Sequence, residues 1–322
     1  MPEPSTTPRR RGRLFRFGAA FVVLLAVAGY LVVQYVTGGA GAPGCKVVSA
    51  DDDGRSYEFT PEQAVNAATI TAVGTGRELP ERAVTIALAT ALQESALRNI
   101  EHGDRDSLGL FQQRPSMGWG TEREIMDPAY AAGAFYDHLV KVPDYTGLPL
   151  TVAAQKVQRS GFPDAYAKHE PDAALLAAAL TGRSAATLTC EGRPGTVPVT
   201  GTAPVRDALA RDFGRDVLEP AAAVVDEESG STASPGNGAD GDGRTLTLPV
   251  TEGSEKTDAA GRGWQLAHWA VANASALRIE RVSYAGLEWK AGNTGSRWRA
   301  PETGGAAGAE KGAGPVRIVT AH

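Results

Sequence analysis

Cysteines, histidines and long apolar runs are scarce in this chain, and each scarcity argues against a class of protein. The 322 residues include two cysteines and five histidines, and no two histidines have the four-residue spacing of a helical metal site. We therefore expect no zinc peptidase, no metal and no cofactor. A transporter needs several membrane-spanning helices, but only residues 17–36 form an apolar run of that length.

Residues 17–36 predict one transmembrane helix near the N-terminus. A helix of that length extends about 30 Å, the thickness of the hydrocarbon core of a bilayer. Residues 1–16 carry arginines at positions 9, 10, 11, 13 and 16 and a single acid, so the positive-inside rule makes them a cytoplasmic tail. We expect a single-pass protein of the cell membrane with extracytoplasmic domains. A cleaved signal peptide is the alternative, because Gly38 and Ala40 are small residues of the kind found at cleavage sites.

The charge balance limits the partners of the exported part. The whole chain has a formal net charge of −5, and most of the N-terminal charges are arginines that stay in the cytoplasm. The exported part is therefore more acidic than the chain as a whole. An acidic surface argues against nucleic acid as a partner.

Cys45 and Cys190 both lie in the exported part. An oxidising compartment allows them to pair, and they bracket one region of the chain. A disulfide between them would close a long loop and contribute about 4–5 kcal/mol to stability. Two unrelated thiols are the alternative.

Helical patterns dominate residues 45–190. Thr60 and Gln63 form a capping box before a helix that is predicted to reach about residue 73. Further helices are predicted to begin at Pro80, Pro128, Pro149 and Asp172. No alternating strand pattern of any length lies between them, so the region is predicted to be an all-α or nearly all-α domain.

The rest of the chain divides by composition. Residues 191–244 are predicted to be a linker region with one short helix at 205–218, and its segment 226–243 has the composition of a disordered stretch. Residues 245–300 contain strand and helix patterns and are rich in tryptophan, which predicts a small α+β domain. The tryptophans are interpreted as core residues, with a binding role as the alternative. Residues 301–322 are predicted to be a low-complexity tail.

Glu94 lies in the last turn of an Ala-rich helix, directly before Ser95. A carboxyl group against such an apolar helix loses solvation, which raises its pKa and suits it to donate a proton near neutral pH. Cleavage of a glycosidic bond needs such a donor, because the sugar oxygen leaves poorly until it is protonated. A solvated acid at a helix end is the alternative for Glu94 taken alone.

The pair Glu94 and Ser95, followed by Gly-Leu-Phe-Gln at residues 109–112, resembles the motifs of the lytic transglycosylases and goose-type lysozymes. In that superfamily a Glu-Ser pair ends a helix and a Gly-Leu-Met-Gln stretch follows a variable loop; here Phe111 replaces the methionine. The resemblance covers about residues 60–182. It implies a lysozyme-like helical domain, so the chain is predicted to be mainly α.

Two further stretches, residues 106–116 and 118–121, are similar to a group of actinobacterial membrane-anchored proteins. Members of that group are sometimes labelled heavy-metal transporters. A single membrane span does not support that label.

The resemblance also implies roles for residues around the cleft. Glu94 would be the general acid and base, while Ser95 and Gln112 would hydrogen-bond the N-acetyl and hydroxyl groups of the sugar. Gln113 and Trp119 are predicted to bind substrate as well. The alternatives are turn hydrogen bonds for the two glutamines and a core position for Trp119.

The third motif of the family is an Ala-Tyr-Asn-Ala-Gly-like stretch, which corresponds to residues 154–160 here. This sequence lacks the Tyr-Asn pair. Gln158 is interpreted as a replacement for the asparagine amide, and Tyr166 as a replacement for the tyrosine that orients the catalytic carboxyl. The departure motivates an alternative function, a catalytically weak peptidoglycan-binding or cell-envelope scaffold module.

Together these features predict a membrane-anchored enzyme that cleaves the MurNAc-β-1,4-GlcNAc bond of peptidoglycan. The lytic family needs one carboxyl group, because the 6-hydroxyl of muramic acid attacks its own anomeric carbon. Asp104 and Asp106 would be candidates for a second carboxylate in hydrolysis, but both lie in a polar turn and are interpreted as solvated. The expected partners are peptidoglycan glycan strands, the membrane through one helix, and other cell-envelope proteins.

Overall fold

Prolines and capping side chains set the starts of the helices in this computed structural model, which describes residues 44–51, 53–161, 164–192, 201–218, 243–250, 259–292, 297–301 and 314–321. The hydroxyl of Thr60 accepts from the backbone N–H of Gln63, whose side chain accepts from the backbone N–H of Thr60. This is the predicted capping box. The α-helices are Pro61–Gly76 (α1), Glu81–Ser95 (α2), Glu122–Ile125 (α3), Pro128–Leu139 (α4), Leu150–Gln158 (α5), Glu170–Leu180 (α6), Ala203–Phe213 (α7), Ala259–Ala272 (α8) and Ala274–Leu277 (α9).

The predicted cytoplasmic tail, residues 1–16, and the predicted transmembrane segment, residues 17–36, lie outside the described residues. None of the helices within the described ranges is both long enough and apolar enough to cross a membrane.

Helix α2 is the central helix of the fold. Every residue from Ala83 to Leu92 is buried, whereas a surface helix buries only one stripe. The helix packs against α1, α4, α5 and α6. Its many alanines allow close approach, and Thr90 satisfies its buried hydroxyl by donating to the carbonyl of Ile86 at 2.7 Å. The apolar core therefore extends to the turn that carries Glu94.

The chain leaves α2 through a turn that polar side chains of α1 hold in place. Ala96 and Leu97 adopt left-handed backbone angles, with φ of 53° and 58°, which costs roughly 1–2 kcal/mol for each non-glycine residue. The amide of Gln63 donates to the carbonyl of Ala96, and the buried amide of Asn66 donates to the carbonyl of Leu97, both at 2.8 Å. These two bonds fix the exit angle of the chain.

A three-stranded antiparallel sheet closes the ends of this region. Its strands are Cys45–Val48 (β1), Ser56–Phe59 (β2) and Leu188–Cys190 (β3), in the order β2-β1-β3. The prediction that residues 45–190 are all-α or nearly all-α therefore needs correction. Strands of three or four residues give too short a pattern to detect, and they form here because residues distant in sequence pair with each other.

The predicted disulfide is confirmed. Cys45 and Cys190 lie directly opposite each other on β1 and β3, with an S–S distance of 2.03 Å and 145 residues of separation. Both cysteines are buried. The bridge joins the first and last strands of the helical region.

A second sheet has four antiparallel strands. They are Thr245–Leu248 (β4), Ile279–Tyr284 (β5), Leu287–Lys290 (β6) and Val316–Thr320 (β7), in the order β4-β7-β5-β6. Strand β7 lies between β4 and β5 although residues 301–322 are predicted to be a tail. Its alternation of buried and less buried side chains spans only five residues, and the preceding Gly/Ala-rich composition conceals it.

The tryptophans of the second sheet region are core residues, as predicted, but the core includes the helical region as well. Trp269 and Trp289 are buried in the same apolar cluster as α2. The indole N–H of Trp289 donates to the carbonyl of Cys190 at 3.1 Å, and that of Trp298 donates to Leu188 at 3.0 Å. The described residues from 44 onward accordingly belong to one compact unit.

Helix α7 lies in the predicted linker and packs against α1. Its Asp212 has a fully buried side chain. One carboxylate oxygen accepts from Trp269 of α8 at 2.9 Å and from Thr69 of α1 at 3.1 Å, and the other accepts from Arg211 at 2.8 Å. Asp212 therefore joins three helices. The segment 226–243 of the same linker lies outside the described residues except for Gly243.

Removal of the disulfide should lower stability. The double variant Cys45→Ala/Cys190→Ala is expected to lose about 4 kcal/mol of unfolding free energy, because a long loop is no longer closed in the unfolded chain. Urea unfolding of the variant and of the oxidised protein measures the difference. An unchanged midpoint would show that the bridge does not constrain the unfolded chain.

Asp212→Asn should destabilise the chain by about 2–3 kcal/mol. Both carboxylate oxygens of Asp212 accept hydrogen bonds, whereas the amide nitrogen of asparagine cannot accept one, so a buried donor is left without a partner. The matched control is Asp207→Asn, at an exposed position of the same helix, which should leave the unfolding midpoint unchanged. Equal midpoints for the two variants would contradict the role of Asp212 as the junction of the three helices.

Candidate active site

Glu94 lies in the last turn of α2 and lines a cleft of about 800 Å³. The other walls of the cleft come from the loop between α2 and α3, the end of α4 and the end of α5. Trp119, His138 and Gln158 are among the lining residues. A cavity of this size accommodates a ligand of several sugar rings or of comparable volume.

The carboxyl group of Glu94 is held by two neighbours. The hydroxyl of Tyr166 donates to Glu94 Oε1 at 2.7 Å, and the side chain of Gln158 hydrogen-bonds the same carboxyl. The amide nitrogen of Gln158 also donates to the carbonyl of Phe111 at 2.8 Å. Tyr166 is completely buried, so its ring is fixed by packing. Glu94 therefore has a defined orientation at the wall of the cleft.

Burial sets the acidity of Glu94. Loss of solvation raises the pKa of the carboxyl, while the hydrogen bonds from Tyr166 and Gln158 oppose this by stabilising the carboxylate; the net direction is upward. Burial and the neighbouring Glu94 raise the pKa of Tyr166 as well, so its phenol stays protonated and keeps donating. An acid with a raised pKa at a cleft is suited to protonate a leaving group.

The two aspartates of the polar turn differ in their surroundings. Asp106 accepts from the backbone N–H of Ser116 at 2.9 Å and from Arg114 at 2.7 Å. Hydrogen bonds from Ser116, and next from Arg114, hold the pKa of its carboxyl well below the usual range. It does not line the cleft, whereas the exposed Asp104 does. Asp106 therefore stabilises the loop, and Asp104 is the carboxylate that shares the cleft wall with Glu94.

Ser95 and Gln113 face away from the cleft. The hydroxyl of Ser95 donates to the carbonyl of Leu110 at 2.8 Å and to that of Ala91 at 3.1 Å. The amide of Gln113, which is 1% exposed, donates to the carbonyl of Ala131 at 3.0 Å. Both side chains therefore hold the loop against the helices. The sequence instead predicts that both contact the sugar.

Gln112 and Trp119 line the cleft, as the sequence predicts of substrate-binding residues. The amide of Gln112 donates to the carbonyl of Gly109 at 3.3 Å, and its side chain lies against Gly103, where a Cβ would overlap it. Trp119 packs against the ring of His138 with 4.2 Å between the ring centroids. One face of this wall is therefore a broad aromatic surface of the kind on which sugar rings stack.

Backbone strain occurs at this cleft as well as elsewhere in the described residues. Three non-glycine residues that line it have left-handed backbone angles: Arg105 with φ of 59°, Gln112 with 47° and Arg159 with 53°. Each costs roughly 1 kcal/mol or more and persists only where surrounding contacts hold it. Strain of this kind clusters at functional sites.

Sequence patterns do not identify several of the residues that line the cleft. Lys141 and Lys156 come from the ends of α4 and α5 and meet only in the tertiary structure. Lys141 lies in the turn just after α4 ends at Leu139, so no helical spacing links it to the other residues that line the cleft. Among the described residues, no three His, Cys, Asp or Glu side chains are grouped so that they could hold a metal ion.

Comparison with known proteins bears on the C-terminal part of the chain. Residues 205–311 match the family described as VldE, C-terminal domain. The match begins in α7 and extends past β6, so it includes neither Glu94 nor any other residue of the cleft. No curated protein matches the chain. A match to less than half of the chain does not assign it to that family.

Glu94→Gln should make the protein more stable at neutral pH. The native state binds the proton of Glu94 more tightly than the unfolded chain does, so wild-type stability falls as pH rises from the ordinary glutamate pKa, about 4.3, through the raised native pKa. Urea unfolding at several pH values should show an advantage for the variant that is present above the native pKa and disappears below the ordinary one. Glu101→Gln, which removes an exposed carboxyl in the following loop, serves as the control for the loss of one negative charge. An advantage that stays constant with pH would contradict a raised pKa for Glu94.

Proposed function

We propose that this chain is a membrane-anchored enzyme of lysozyme-like fold that cleaves peptidoglycan as a lytic transglycosylase. Its substrate is the β-1,4 bond between N-acetylmuramic acid and N-acetylglucosamine in a glycan strand, and Glu94 is its acid and base. The observation that carries the proposal is the position of Glu94, a carboxyl with a raised pKa at the wall of a large cleft.

The contacts of Glu94 support this assignment. The third sequence motif lacks the Tyr-Asn pair of the lytic family, which raises the question of what orients the acid. Tyr166 and Gln158 both hydrogen-bond Glu94, so a tyrosine hydroxyl and an amide approach the carboxyl from other positions in the chain. A tyrosine hydroxyl and an amide can therefore orient Glu94 although this sequence lacks the Tyr-Asn pair.

The proposed reaction needs one carboxyl group. Protonated Glu94 gives its proton to the glycosidic oxygen as the bond to the anomeric carbon breaks. The resulting carboxylate then takes the proton of the 6-hydroxyl as that oxygen bonds to the same carbon. The products are an N-acetylglucosamine chain end with a free hydroxyl and a 1,6-anhydro sugar, and Glu94 is protonated again. No water is consumed.

The surroundings of the two aspartates favour the lytic reaction over hydrolysis. A hydrolase needs a second carboxylate about 5–9.5 Å from the acid, as nucleophile or as base for water. Asp106 is engaged by Arg114 and Ser116. Asp104 is exposed on a loop, and none of the hydrogen bonds or salt bridges within the described residues involves its carboxylate.

The proposed location of the protein is the outer face of the cell membrane. The apolar segment 17–36 would anchor the chain, with residues 1–16 in the cytoplasm and everything after the anchor outside. The disulfide between Cys45 and Cys190 supports export, because disulfides persist in oxidising compartments. An anchored enzyme would act on the wall of its own cell, with other envelope proteins as partners.

Mass spectrometry of digested peptidoglycan tests the proposal. The full chain, purified in detergent, should release muropeptides that end in 1,6-anhydro sugars, and Glu94→Gln should lower their yield by about 100-fold or more, because general acid catalysis contributes on that order. Glu101→Gln is the matched control. It removes an exposed loop carboxylate that does not line the cleft and should retain the anhydro products.

Other outcomes separate the alternatives. Products with reducing ends would indicate hydrolysis and make Asp104 the second carboxylate to test. Glycan that is bound by both the wild type and Glu94→Gln but released by neither would indicate a binding or scaffold module. Release that is unchanged by Glu94→Gln would show that Glu94 is not the acid.

A further inference from the structure

The cleft is basic although the chain as a whole is acidic. Five cationic side chains line it, and Glu94 and Asp104 are the carboxylates among the lining residues. The formal net charge of the whole chain is −5, so the sign of the charge at the cleft is opposite to that of the chain. The five cations are Arg105, Arg114, Lys141, Lys156 and Arg159.

Four of these cations carry charge that the protein does not neutralise. Arg114 is paired with Asp106 at 2.7 Å. Within the described part of the chain, the other four form no salt bridge, and all four are exposed. Two of them, Arg105 and Arg159, have left-handed backbone angles. The charge is therefore available to a ligand.

The pKa of His138 reflects the positive charge at the cleft wall. Burial lowers the pKa of its imidazole, and the charges of Lys141 and Arg159 lower it further, while Asp137 opposes them. The pKa of Glu94 responds instead to burial and to the hydrogen bonds of Tyr166 and Gln158. Lys141 and Arg159 therefore both act on the imidazole at the cleft wall, where an anionic ligand would meet positive charge.

We propose that Arg105, Lys141, Lys156 and Arg159 form an anion subsite that binds carboxylates carried by the glycan strand. The inference rests on the proposed function and specifies its substrate. N-acetylglucosamine is neutral, whereas muramic acid carries a lactyl carboxylate that is either free or extended by a peptide with carboxylates of its own. The cleft should therefore prefer a glycan that contains muramic acid over a neutral glycan with the same backbone.

The test compares ligands that share the β-1,4 backbone and differ in charge. Glu94→Gln of the full chain prevents turnover, and calorimetry measures its binding to a chitin hexamer, to peptide-free wall glycan and to peptide-bearing wall glycan. At low ionic strength we expect the charged glycans to bind about tenfold more tightly than chitin, since several exposed ion pairs contribute modestly each. The difference should fall in about 0.5 M salt, which screens exposed charges.

Charge-neutralising variants locate the subsite. Added to Glu94→Gln, the pair Lys141→Gln/Lys156→Gln should weaken binding of the charged glycans about threefold or more and leave binding of chitin unchanged. Both lysines are exposed, so the fold should tolerate the change. Lys168→Gln is the control, because this exposed lysine does not line the cleft, and it should change neither affinity.

Each result supports or overturns the inference. Preference for both charged glycans assigns the cations to the lactyl carboxylate or its peptide equivalent, and preference for the peptide-bearing glycan alone assigns them to peptide carboxylates. Equal affinity for chitin and charged glycans, or an equal loss for both in the double variant, would overturn the inference and leave the proposed function intact. Failure to bind any glycan would overturn both.

Discussion

Burial of helix α2 on all sides from Ala83 to Leu92 is the constraint on which the rest of this structure depends. A helical segment without an exposed face needs neighbours on every side, and the surrounding helices supply them. Its last turn reaches the edge of the core, where Glu94 meets the cleft. The apolar surroundings that stabilise the fold thus also raise the pKa of Glu94. Stability and acidity have the same physical origin, and an ionised Glu94 diminishes the stability that the burial provides.

The cleft is assembled from side chains that serve either the loop or the ligand. Ser95 and Gln113 satisfy backbone carbonyls and hold the loop against α2 and α4. Gln112 and Trp119 then face the open space. Adjacent residues in the motif therefore have different tasks, because the backbone turns between them and carries one side chain inward and the next outward.

The C-terminal region completes the core that surrounds α2. Trp289 donates to a strand of the first sheet, and Asp212 accepts from both Trp269 and Thr69. These bonds connect segments that composition separates into a domain, a linker and a second domain. A shared apolar cluster removes more surface from water than two small cores would, because a small domain buries a smaller fraction of its surface.

The sequence by itself determined most of the helix starts, the tryptophan core and the position of Glu94 at the end of an apolar helix, since prolines, caps and an apolar run that ends in an acid are local patterns. It also indicated that Cys45 and Cys190 would pair. Only the tertiary structure decided which strands form, because short strands depend on distant partners. Only the tertiary structure brought Tyr166 to Glu94 and gathered lysines from two helix ends at one cleft. Such contacts depend on how the helices pack against each other, and no local pattern of residues encodes that geometry.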